Sequence, residues 1–419
     1  MIQRNVPCRR VRRFALAIVG ALTLLATALE AQTFTVLHNF TGGPDGAYPY
    51  AGLTIDAAGN LYGTTTAGGN TQGGCSPSGC GTVFKLKQAG AGWVLTPLFT
   101  LGGGPEGFES QARVVFGPNG TLYGTTTMGG YEDSGLVFNL TPPASACHSV
   151  VCPWSEHVIY EFTGRNGLGD GANPEYGDLA FDSAGNIYGT TSGGGAEAFG
   201  TVFQLSPSGG GWTENILYSF NGPPDGAAPF SGVIFDASSN LYGTTSGGGS
   251  IQHCGFAGCG SVYELTHSGS GWTDNVLYTF EDGIDGAQPY GGVIFGPSGG
   301  LYSTTSEGGA NDGGTVFQLS DVGGNWQLTT VRSFMDVGGP YAGMVMDAAG
   351  NLYGTTLSSV YELTPSGGGW SFSSLHVFNT GSDGNAVYGV VALDSNGNLY
   401  GTASSGGAYG YGTVWEITP

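Results

Sequence analysis

The stretch Asn60-Leu61-Tyr62-Gly63-Thr64-Thr65 decides the fold of this chain, because close copies of it recur along the whole sequence. Six further copies follow, at residues 121–126, 186–191, 240–245, 300–305, 351–356 and 398–403. From Tyr62 to Tyr400 the seven copies span six intervals and 338 residues, or about 56 residues for each repeat. A repeat of fixed length indicates that the chain consists of copies of one supersecondary unit.

Each repeat unit is predicted to form four short β-strands. The unit around residue 240 illustrates the first two, with strands at 232–235 and 241–245 separated by an Asp-to-Asn turn. Residues 200–205 and 212–220 illustrate the third and fourth strands, which a Ser/Pro/Gly turn separates. Alternating apolar residues that are β-branched or aromatic, bounded by Gly, Pro, Asn and Asp, are typical of strands and turns. After residue 31 no stretch has helical periodicity.

These units are predicted to form an all-β, seven-bladed β-propeller of four-stranded blades within residues 32–419. A four-stranded unit that is apolar on both faces must pack against neighbours on both sides, and radial repetition achieves this. The chain begins with a fourth strand at 34–40 and finishes with a third strand at 412–418. We expect these two strands to pair, so that one composite blade closes the ring.

The N-terminal residues 1–31 have the pattern of a secretory signal peptide. An apolar run at 14–29 follows a basic leader and precedes small residues, with cleavage expected after Ala28 or Ala31. The basic residues of the leader are Arg4, Arg9, Arg10, Arg12 and Arg13. An uncleaved anchor is the alternative, although the run is short for a spanning helix, which needs about 20 apolar residues. We therefore expect a secreted or surface protein that is not inserted in the membrane after cleavage.

The charge balance excludes several kinds of partner. Residues 32–419 contain five basic and 30 acidic residues, a formal net charge of −25. The five basic residues are Lys85, Lys87, Arg113, Arg165 and Arg332. Nucleic acid and anionic membranes are poor partners for such a surface, whereas cations, neutral sugars and basic proteins are compatible with it.

Six cysteines form three pairs with the spacing C-x4-C. The pairs are Cys75 and Cys80, Cys147 and Cys152, and Cys254 and Cys259. An exported chain meets an oxidising compartment, so we expect each pair to form a local disulfide. Structural zinc is the alternative, but its usual C-x2-C spacing with His or Cys partners is not present.

The combination of Leu-Tyr-Gly-Thr-Thr, a glycine-rich loop and a strand such as Gly200-Thr201-Val202-Phe203 resembles the GloVer (Gloeo/Verruco) tandem repeat of bacterial exported proteins. The resemblance covers essentially all of residues 32–419. It implies a secreted protein or a protein at the bacterial cell surface. Family members often have C-terminal anchors, whereas this chain finishes at Pro419 without a sorting tail. The resemblance implies no reaction and no catalytic residues.

Three repeated side chains are candidates for a site. The motif tyrosines could stack on sugars, although packing between blades is the favoured interpretation. An aspartate in the first hairpin, such as Asp56, is expected to cap its own turn rather than to form a cation ring, since Gly117 and Gly296 replace it in two units. An aspartate before the first strand, such as Asp45, could bind calcium. No D-x-D-x-D run supports this, and Asp282 with Asp285 is the nearest approach.

Catalytic motifs are not found in the sequence. The six histidines occupy positions that look scattered and non-equivalent, and none belongs to an H-E-x-x-H or a nucleophile elbow. Four charged residues interrupt the repeat in units two and three: Glu109, Arg113, Glu175 and Asp178. Such departures can mark a site, and sequence drift explains them equally well.

Loop lengths predict where a ligand would bind. From the end of the motif to the Val of the third strand, four units span 11 residues and two cysteine-containing units span 17 and 18, but unit six spans only 4. The entry loop of unit six is short too, with 6 residues from Phe334 to Pro340 against 9 from Phe280 to Pro289. Two short loops at one blade predict a groove over blade six for an extended ligand. Its walls would be Glu307 and Asp312 on one side and Tyr409 and Tyr411 on the other, with Tyr341 at the floor.

Together these features predict a non-catalytic, monomeric binding or scaffold module whose ligand is an extracellular glycan or protein. The alternative is a secreted polysaccharide lyase or hydrolase, with carboxylates and a divalent cation at the channel mouth. No cofactor is expected, and calcium is the one ion with weak support. A propeller fold alone does not choose between these functions, because it hosts many of them.

Overall fold

The computed structural model describes residues 32–71, 74–143, 154–164, 169–269, 271–335, 338–379 and 381–419. These residues form seven four-stranded antiparallel sheets, arranged as a seven-bladed β-propeller, and one additional two-stranded sheet. The fold class predicted from the repeats is therefore confirmed. The predicted signal peptide, residues 1–31, lies outside the described residues. No helix in the described part of the chain is long and apolar enough to span a membrane.

Thirty strands are described, most of them short. They are β1 (Thr33–Asn39), β2 (Thr54–Ile55), β3 (Leu61–Thr65), β4 (Thr82–Ala89), β5 (Gly92–Thr100), β6 (Val115–Phe116), β7 (Leu122–Thr126), β8 (Leu136–Thr141), β9 (Ser155–Glu161), β10 (Ala180–Phe181), β11 (Ile187–Thr191), β12 (Thr201–Ser208), β13 (Gly211–Ser219), β14 (Gly226–Ala227), β15 (Ile234–Phe235), β16 (Leu241–Thr245), β17 (Gly247–Gly248), β18 (Ser261–Ser268), β19 (Gly271–Thr279), β20 (Ile294–Phe295), β21 (Leu301–Thr305), β22 (Thr315–Asp321), β23 (Trp326–Ser333), β24 (Val345–Met346), β25 (Leu352–Thr356), β26 (Ser359–Ser366), β27 (Gly369–Val377), β28 (Ala392–Leu393), β29 (Leu399–Ala403) and β30 (Thr413–Thr418).

The blades follow the chain in order. Blade 1 is β2 to β5, blade 2 is β6 to β9, blade 3 is β10 to β13, blade 5 is β20 to β23 and blade 6 is β24 to β27. Blade 4 is β15, β16, β18 and β19, while β14 and β17 form the two-stranded sheet. Blade 7 combines β28, β29 and β30 with β1, whose register runs from Thr33 opposite Thr418 to Asn39 opposite Thr413. The two chain ends thus pair as predicted, and the pairing completes blade 7.

The repeated motif forms the second strand of every blade and packs against the next blade. Leu61 is fully buried and Tyr62 nearly so. The ring of Tyr62 meets Phe116 of blade 2 edge to face, with centroids 5.1 Å apart. A Cβ at Gly63 would lie 2.6 Å from Cζ of Phe84, so only glycine lets that ring cross the strand. The motif tyrosines therefore pack between blades, as predicted.

The first-hairpin aspartates fix the turn that precedes the motif. Oδ1 of Asp56 accepts hydrogen bonds from the backbone N–H groups of Ala58 and Asn60, both at 2.9 Å. Its Oδ2 accepts from Asn60 Nδ2 at 2.7 Å and from the Tyr62 hydroxyl at 3.0 Å. Partial burial acts to raise the pKa of Asp56, but these hydrogen bonds outweigh it and hold the pKa below its ordinary value. The predicted Asx turns are confirmed at this position.

A hydrogen bond from a motif threonine joins most blades to the next one. Oγ1 of Thr64 donates to the carbonyl oxygen of Ala112 in blade 2, at 3.3 Å. The same bond joins Thr190 to Ser231, Thr244 to Gly291, Thr304 to Ala342, Thr355 to Gly389, and Thr402 to Ala51. Six of the seven motif copies in the described chain therefore share one inter-blade contact.

The entry-loop aspartates bind the fourth strand of the preceding blade. The Tyr218 hydroxyl donates to Asp225 at 2.9 Å, and the Tyr278 hydroxyl donates to Asp285 at 3.1 Å. In two blades a histidine takes the place of the tyrosine: His38 contacts Asp45 at 3.0 Å, and His376 contacts Asp383 at 3.2 Å. The expectation that all histidines are non-equivalent was wrong for this pair. Their spacing of seven residues to the aspartate was the signal.

Two of the three predicted disulfides are confirmed. Cys75 bonds to Cys80 with a Cα–Cα distance of 5.2 Å, and Cys254 bonds to Cys259 at 5.1 Å. The third predicted pair, Cys147 and Cys152, lies outside the described residues. Each described bridge closes a loop between the second and third strands of its blade.

Three successive blades place an acidic side chain where the others place a core residue. Glu156, Glu214 and Asp274 pair with the buried leucine of the third strand, a position that is Leu or Phe in the other four blades. The pKa of each acid is raised by burial and then by a nearby entry-loop carboxylate, to about 8 for Glu156 and about 7 for Glu214 and Asp274. These neighbours are Glu106, Asp170 and Asp225 respectively.

We predict that these acids make the fold less stable as the pH rises from about 4 to about 8. A carboxyl whose folded pKa lies above its unfolded value of about 4 binds its proton more tightly in the folded state. The stability that this tighter proton binding gives the folded state is fully present at low pH, and it is lost as the pH rises through the folded pKa. The triple variant Glu156→Gln, Glu214→Gln, Asp274→Asn should therefore gain stability over the parent at pH 8 but not at pH 4 in urea titrations. An equal gain at both pH values would contradict this assignment.

We also predict that the closing strand is essential for stability. Phe40, directly after β1, is fully buried and meets Phe84 of blade 1 edge to face at 5.3 Å. Phe40→Ala should lower the unfolding free energy by about 3–5 kcal/mol, because it leaves a cavity between blades 7 and 1. The matched control is Phe256→Ala, whose ring is fully exposed and whose loss should change stability by less than about 0.5 kcal/mol. Equal melting curves for the two variants would show that ring closure contributes little.

Candidate functional site

One side chain from each blade surrounds the mouth of the central channel. Each lies 12 residues before the tyrosine of the motif, in the segment that leads into the first strand. We call these seven residues the mouth ring: Tyr50, Gln111, Tyr176, Phe230, Tyr290, Tyr341 and Tyr388. Because first strands line the axis of a propeller, the same sequence offset places all seven around one opening.

Six members of the mouth ring are aromatic and form a continuous arc. Tyr50 stacks on Tyr388 with centroids 4.8 Å apart, and Phe230 stacks on Tyr290 at 5.1 Å. The remaining contacts are Tyr176 with Phe230 at 5.8 Å, Tyr290 with Tyr341 at 5.3 Å, and Tyr341 with Tyr388 at 5.8 Å. Gln111 of blade 2 interrupts this aromatic arc between Tyr50 and Tyr176.

The interruption coincides with an ion pair. Two residues after Gln111, Arg113 donates from Nε to Oδ2 of Asp178 at 3.0 Å, across the junction of blades 2 and 3. The equivalent positions elsewhere are Gly52, Gly232, Gly292, Gly343 and Val390. A Cβ at Gly232 would lie 2.2 Å from the carbonyl oxygen of Asp178, so the regular channel wall has little room for side chains here. We call Gln111, Arg113, Glu175 and Asp178 the polar sector.

The backbone also departs from the repeat in the polar sector. Leu179 follows Ala172 by seven positions in blade 3, whereas Leu53 follows Ala47 by six positions in blade 1. The inter-blade hydrogen bond of the other six copies is not formed at this junction. Oγ1 of Thr125, in a side chain only 1% exposed, has no hydrogen-bond partner among the described residues. One inserted residue thus accompanies both the ion pair and the lost contact.

Burial raises the pKa of Glu175 and of several tyrosines in the mouth ring. The pKa of Glu175 is raised first by burial and then by the charge of Glu109, although the Ser192 hydroxyl donates to its Oε1 at 3.2 Å and acts in the opposite direction. The pKa of Tyr290 is raised by burial, then by Tyr341 and the carboxylate of Glu307. Among the described residues that line the cavity, the charged side chains belong to the polar sector.

Beneath the mouth ring the channel is lined by aliphatic side chains. The first strand of each blade begins four residues after the mouth-ring position. In five blades this first residue lines the cavity: Val115, Ala180, Ile234, Ile294 and Val345. We call these five residues the aliphatic collar. The ring, the polar sector and the collar enclose a cavity of about 620 Å³. This volume lies in the range of small-molecule sites, which combine apolar walls with a few convergent polar groups.

The structure brings together some of the residues predicted from loop lengths. Tyr341 lies in the aromatic arc. The pKa of Tyr341 is raised first by burial and then by the nearby carboxylate of Glu307. Burial and the carboxylates of Asp282 and Asp312 raise the pKa of Glu307, which also accepts a hydrogen bond from Gln288 Nε2 at 2.9 Å. Glu307 is therefore near both Tyr341 and Asp312, although neither carboxylate lines the cavity.

The other predicted wall lies at the junction of blades 7 and 1. Tyr411 packs against Tyr48 with centroids 5.8 Å apart, and Tyr409 is 61% exposed. The groove between Tyr409 and Glu307 stays a prediction, as does calcium at the entry loops. In the described part of the chain, no three Asp, Glu, His or Cys side chains group as metal ligands.

Sequence reasoning missed the mouth ring, although its signal was present. An aromatic residue precedes the motif tyrosine by 12 positions in six of seven units, which is as regular as the motif itself. The charged residues of the polar sector were noted as departures from the repeat. What could not be read was that they interrupt a ring of aromatics around one axis.

The chain belongs to the family of the Gloeobacter/Verrucomicrobia repeat. This family matches residues 20–157, 153–359 and 250–419, which together span nearly the whole chain. The resemblance read from the repeated motif is thus confirmed. Among curated protein sequences none matches this chain.

Several solved structures are similar in fold. Virginiamycin B lyase from Staphylococcus aureus matches with a TM-score of 0.56 and 12% identity, over 93% of this chain and 99% of the lyase. The extracellular domain of a hybrid two component system from B. thetaiotaomicron matches with a TM-score of 0.53 and 11% identity, over 91% of this chain and 39% of the other. Polysaccharide lyase Uly1 matches with a TM-score of 0.50 and 10% identity, over 88% and 90%. At such identities the likeness shows the fold alone.

Proposed function

We propose that this propeller is a non-catalytic, extracellular carbohydrate-binding module whose ligand occupies the channel mouth. The observation that carries the proposal is the arc of six aromatic rings facing one polar sector around a single cavity. A pyranose ring has an apolar C–H face and a rim of hydroxyl groups. Aromatic rings accept the first, and the amide, guanidinium and carboxylate groups of Gln111, Arg113 and Asp178 suit the second.

The size and charge of the mouth favour a sugar over a protein partner. A cavity of about 620 Å³ suits one or two sugar residues, whereas specific protein partners usually bury about 800 Å² of surface on each side. The strongly acidic domain does not repel a neutral glycan. Two local disulfides support an extracellular location. We propose that the domain acts as a monomer.

The proposal predicts that single tyrosines of the mouth ring control affinity. On a panel of oligosaccharides, Tyr290→Ala and Tyr388→Ala should each weaken binding of any ligand by roughly 10-fold or more, because each removes a central stacking surface. Tyr290→Phe should keep most of the affinity, since the ring remains. The matched control is Tyr131→Ala, because Tyr131 is 90% exposed and lies outside the cavity lining.

Two outcomes of calorimetric titration would contradict this proposal. One is that no glycan of the panel binds to the folded wild-type protein. The other is that a glycan binds with equal affinity to the wild type, Tyr290→Ala and Tyr388→Ala. In the second case the ligand would lie elsewhere, and the groove beside Tyr409 and Glu307 would be the next region to mutate.

A lyase or hydrolase is the second candidate, and one observation favours it. Glu175 is a carboxyl with a raised pKa beside the ion pair of Arg113 and Asp178. A carboxyl in such an environment can exchange a proton with a substrate at neutral pH, while a guanidinium stabilises developing negative charge. The two similar lyase structures bear on this candidate only as hosts of catalysis on a comparable fold.

We expect that polysaccharides bound by the wild-type protein are not cleaved. Reducing-end assays and ultraviolet absorbance would detect hydrolysis and elimination, respectively. If the wild type cleaves a polysaccharide, the non-catalytic proposal is wrong. Loss of that cleavage in Glu175→Gln but not in Glu197→Gln, an exposed residue in a neighbouring loop, would then assign the proton transfer to Glu175.

A further inference from the structure

We propose that the mouth cavity selects sugars that have an N-acetyl substituent, with the acetyl methyl group placed against the aliphatic collar. This inference rests on the proposed carbohydrate-binding function and specifies its ligand. The observation behind it is that the cavity has two levels of different chemistry. The mouth ring lies in the segments that lead into the first strands, and the aliphatic collar follows four residues later, where those strands begin.

The two levels suit two parts of one ligand. Both sets of side chains line the same cavity, and among its described lining residues the mouth ring contributes all the aromatic side chains. A sugar stacked on Tyr290 or Tyr388 would therefore direct a substituent toward Ile294 and Val345 rather than toward a second set of aromatic rings.

The collar accepts only an apolar group. Its five side chains are aliphatic, and the charged residues among the described cavity lining are confined to Arg113, Glu175 and Asp178. A sugar hydroxyl directed into the collar would lose its hydrogen bonds to water without gaining new ones. A methyl group has no hydrogen bonds to lose in the collar, and its burial removes apolar surface from water.

A cationic amino sugar is the competing ligand, since aromatic rings and an acidic domain both attract cations. The local charges argue against it. Arg113 already neutralises Asp178, and burial raises the pKa of Glu175, which weakens its attraction for an ammonium group. Placing an ammonium among the aliphatic collar would cost its hydration without a paired carboxylate.

The acetamido group also matches the polar sector. Its amide has one N–H donor and one carbonyl acceptor beside the methyl group. The Gln111 side chain offers the complementary acceptor and donor, and Arg113 offers further N–H donors. Gln111 is the one member of the mouth ring that is not aromatic, and it is half-buried at the cavity lining.

Three trisaccharides with the same β-1,4 linkage test this inference: chitotriose with all N-acetyl groups, the fully deacetylated amine form, and cellotriose. They differ only in the substituent at carbon 2, which is acetamido, ammonium or hydroxyl. We expect the acetylated form to bind at least about 10-fold more tightly than the other two, as a methyl-sized group does in an apolar pocket. Equal or weaker binding of the acetylated form would overturn the inference, and so would failure of all three to bind.

Variants of the collar separate this inference from the proposed function. Val115→Thr and Val345→Thr each replace a collar methyl by a hydroxyl of similar size. Each should weaken the acetylated ligand by several-fold and leave cellotriose unchanged, with Val322→Thr on an exposed turn as the matched control. If both collar variants keep full affinity and the parent melting temperature, the acetyl group does not occupy the collar. Binding of cellotriose alone would then retain the carbohydrate-binding proposal, whereas a panel without any bound glycan would reject both.

Discussion

The hydrogen bond from the motif threonine to the next blade is the contact on which the site depends. Its acceptor is the carbonyl of the residue directly after the mouth-ring position, such as Ala51 after Tyr50 and Ala342 after Tyr341. The bond that fastens one blade to the next therefore also fixes the backbone beside each mouth-ring residue. In six junctions the same geometry repeats, and the aromatic arc inherits its regular spacing from the fold.

The seventh junction shows the effect of losing this bond. Thr125 of blade 2 has no hydrogen-bond partner within the part of the chain that the structure describes, and the segment of blade 3 that should accept its hydrogen bond is one residue longer. An orphan buried hydroxyl costs about 1–3 kcal/mol, which the fold tolerates at one of seven junctions. At this same junction, the channel wall between blades 2 and 3 contains Arg113 and Asp178 at the position that is glycine in most other blades. Departures from regular local structure tend to concentrate at functional sites, and in this protein they lie around the mouth of the channel.

The fold could be predicted from the sequence because every repeat contains the same turn, strand and packing residues. Asp56 caps its turn, Gly63 admits Phe84, and the strand at 34–40 completes the last blade. The site was harder, because alternation along a strand shows which residues share a face but not which face points to the axis. Arg113 and Asp178 are 65 residues apart, and only the packing of blade 3 against blade 2 places Nε of Arg113 3.0 Å from Oδ2 of Asp178. The loop-length argument selected Tyr341, which lies in the aromatic arc, and the groove over blade six that it predicted stays a prediction.

The departures from the repeat are not spread evenly around the ring. Blades 2, 3 and 4 contain the acids Glu156, Glu214 and Asp274 at core positions, and the polar sector lies at the junction of blades 2 and 3. Blades 5, 6, 7 and 1 keep Leu or Phe at the same core position and contribute four rings of the aromatic arc. In a repeat protein each unit contacts only its neighbours, so a substitution is compensated locally and leaves distant blades unchanged. A ring with near-sevenfold regularity can thus hold an asymmetric site, with stacking on one side and hydrogen bonding on the other.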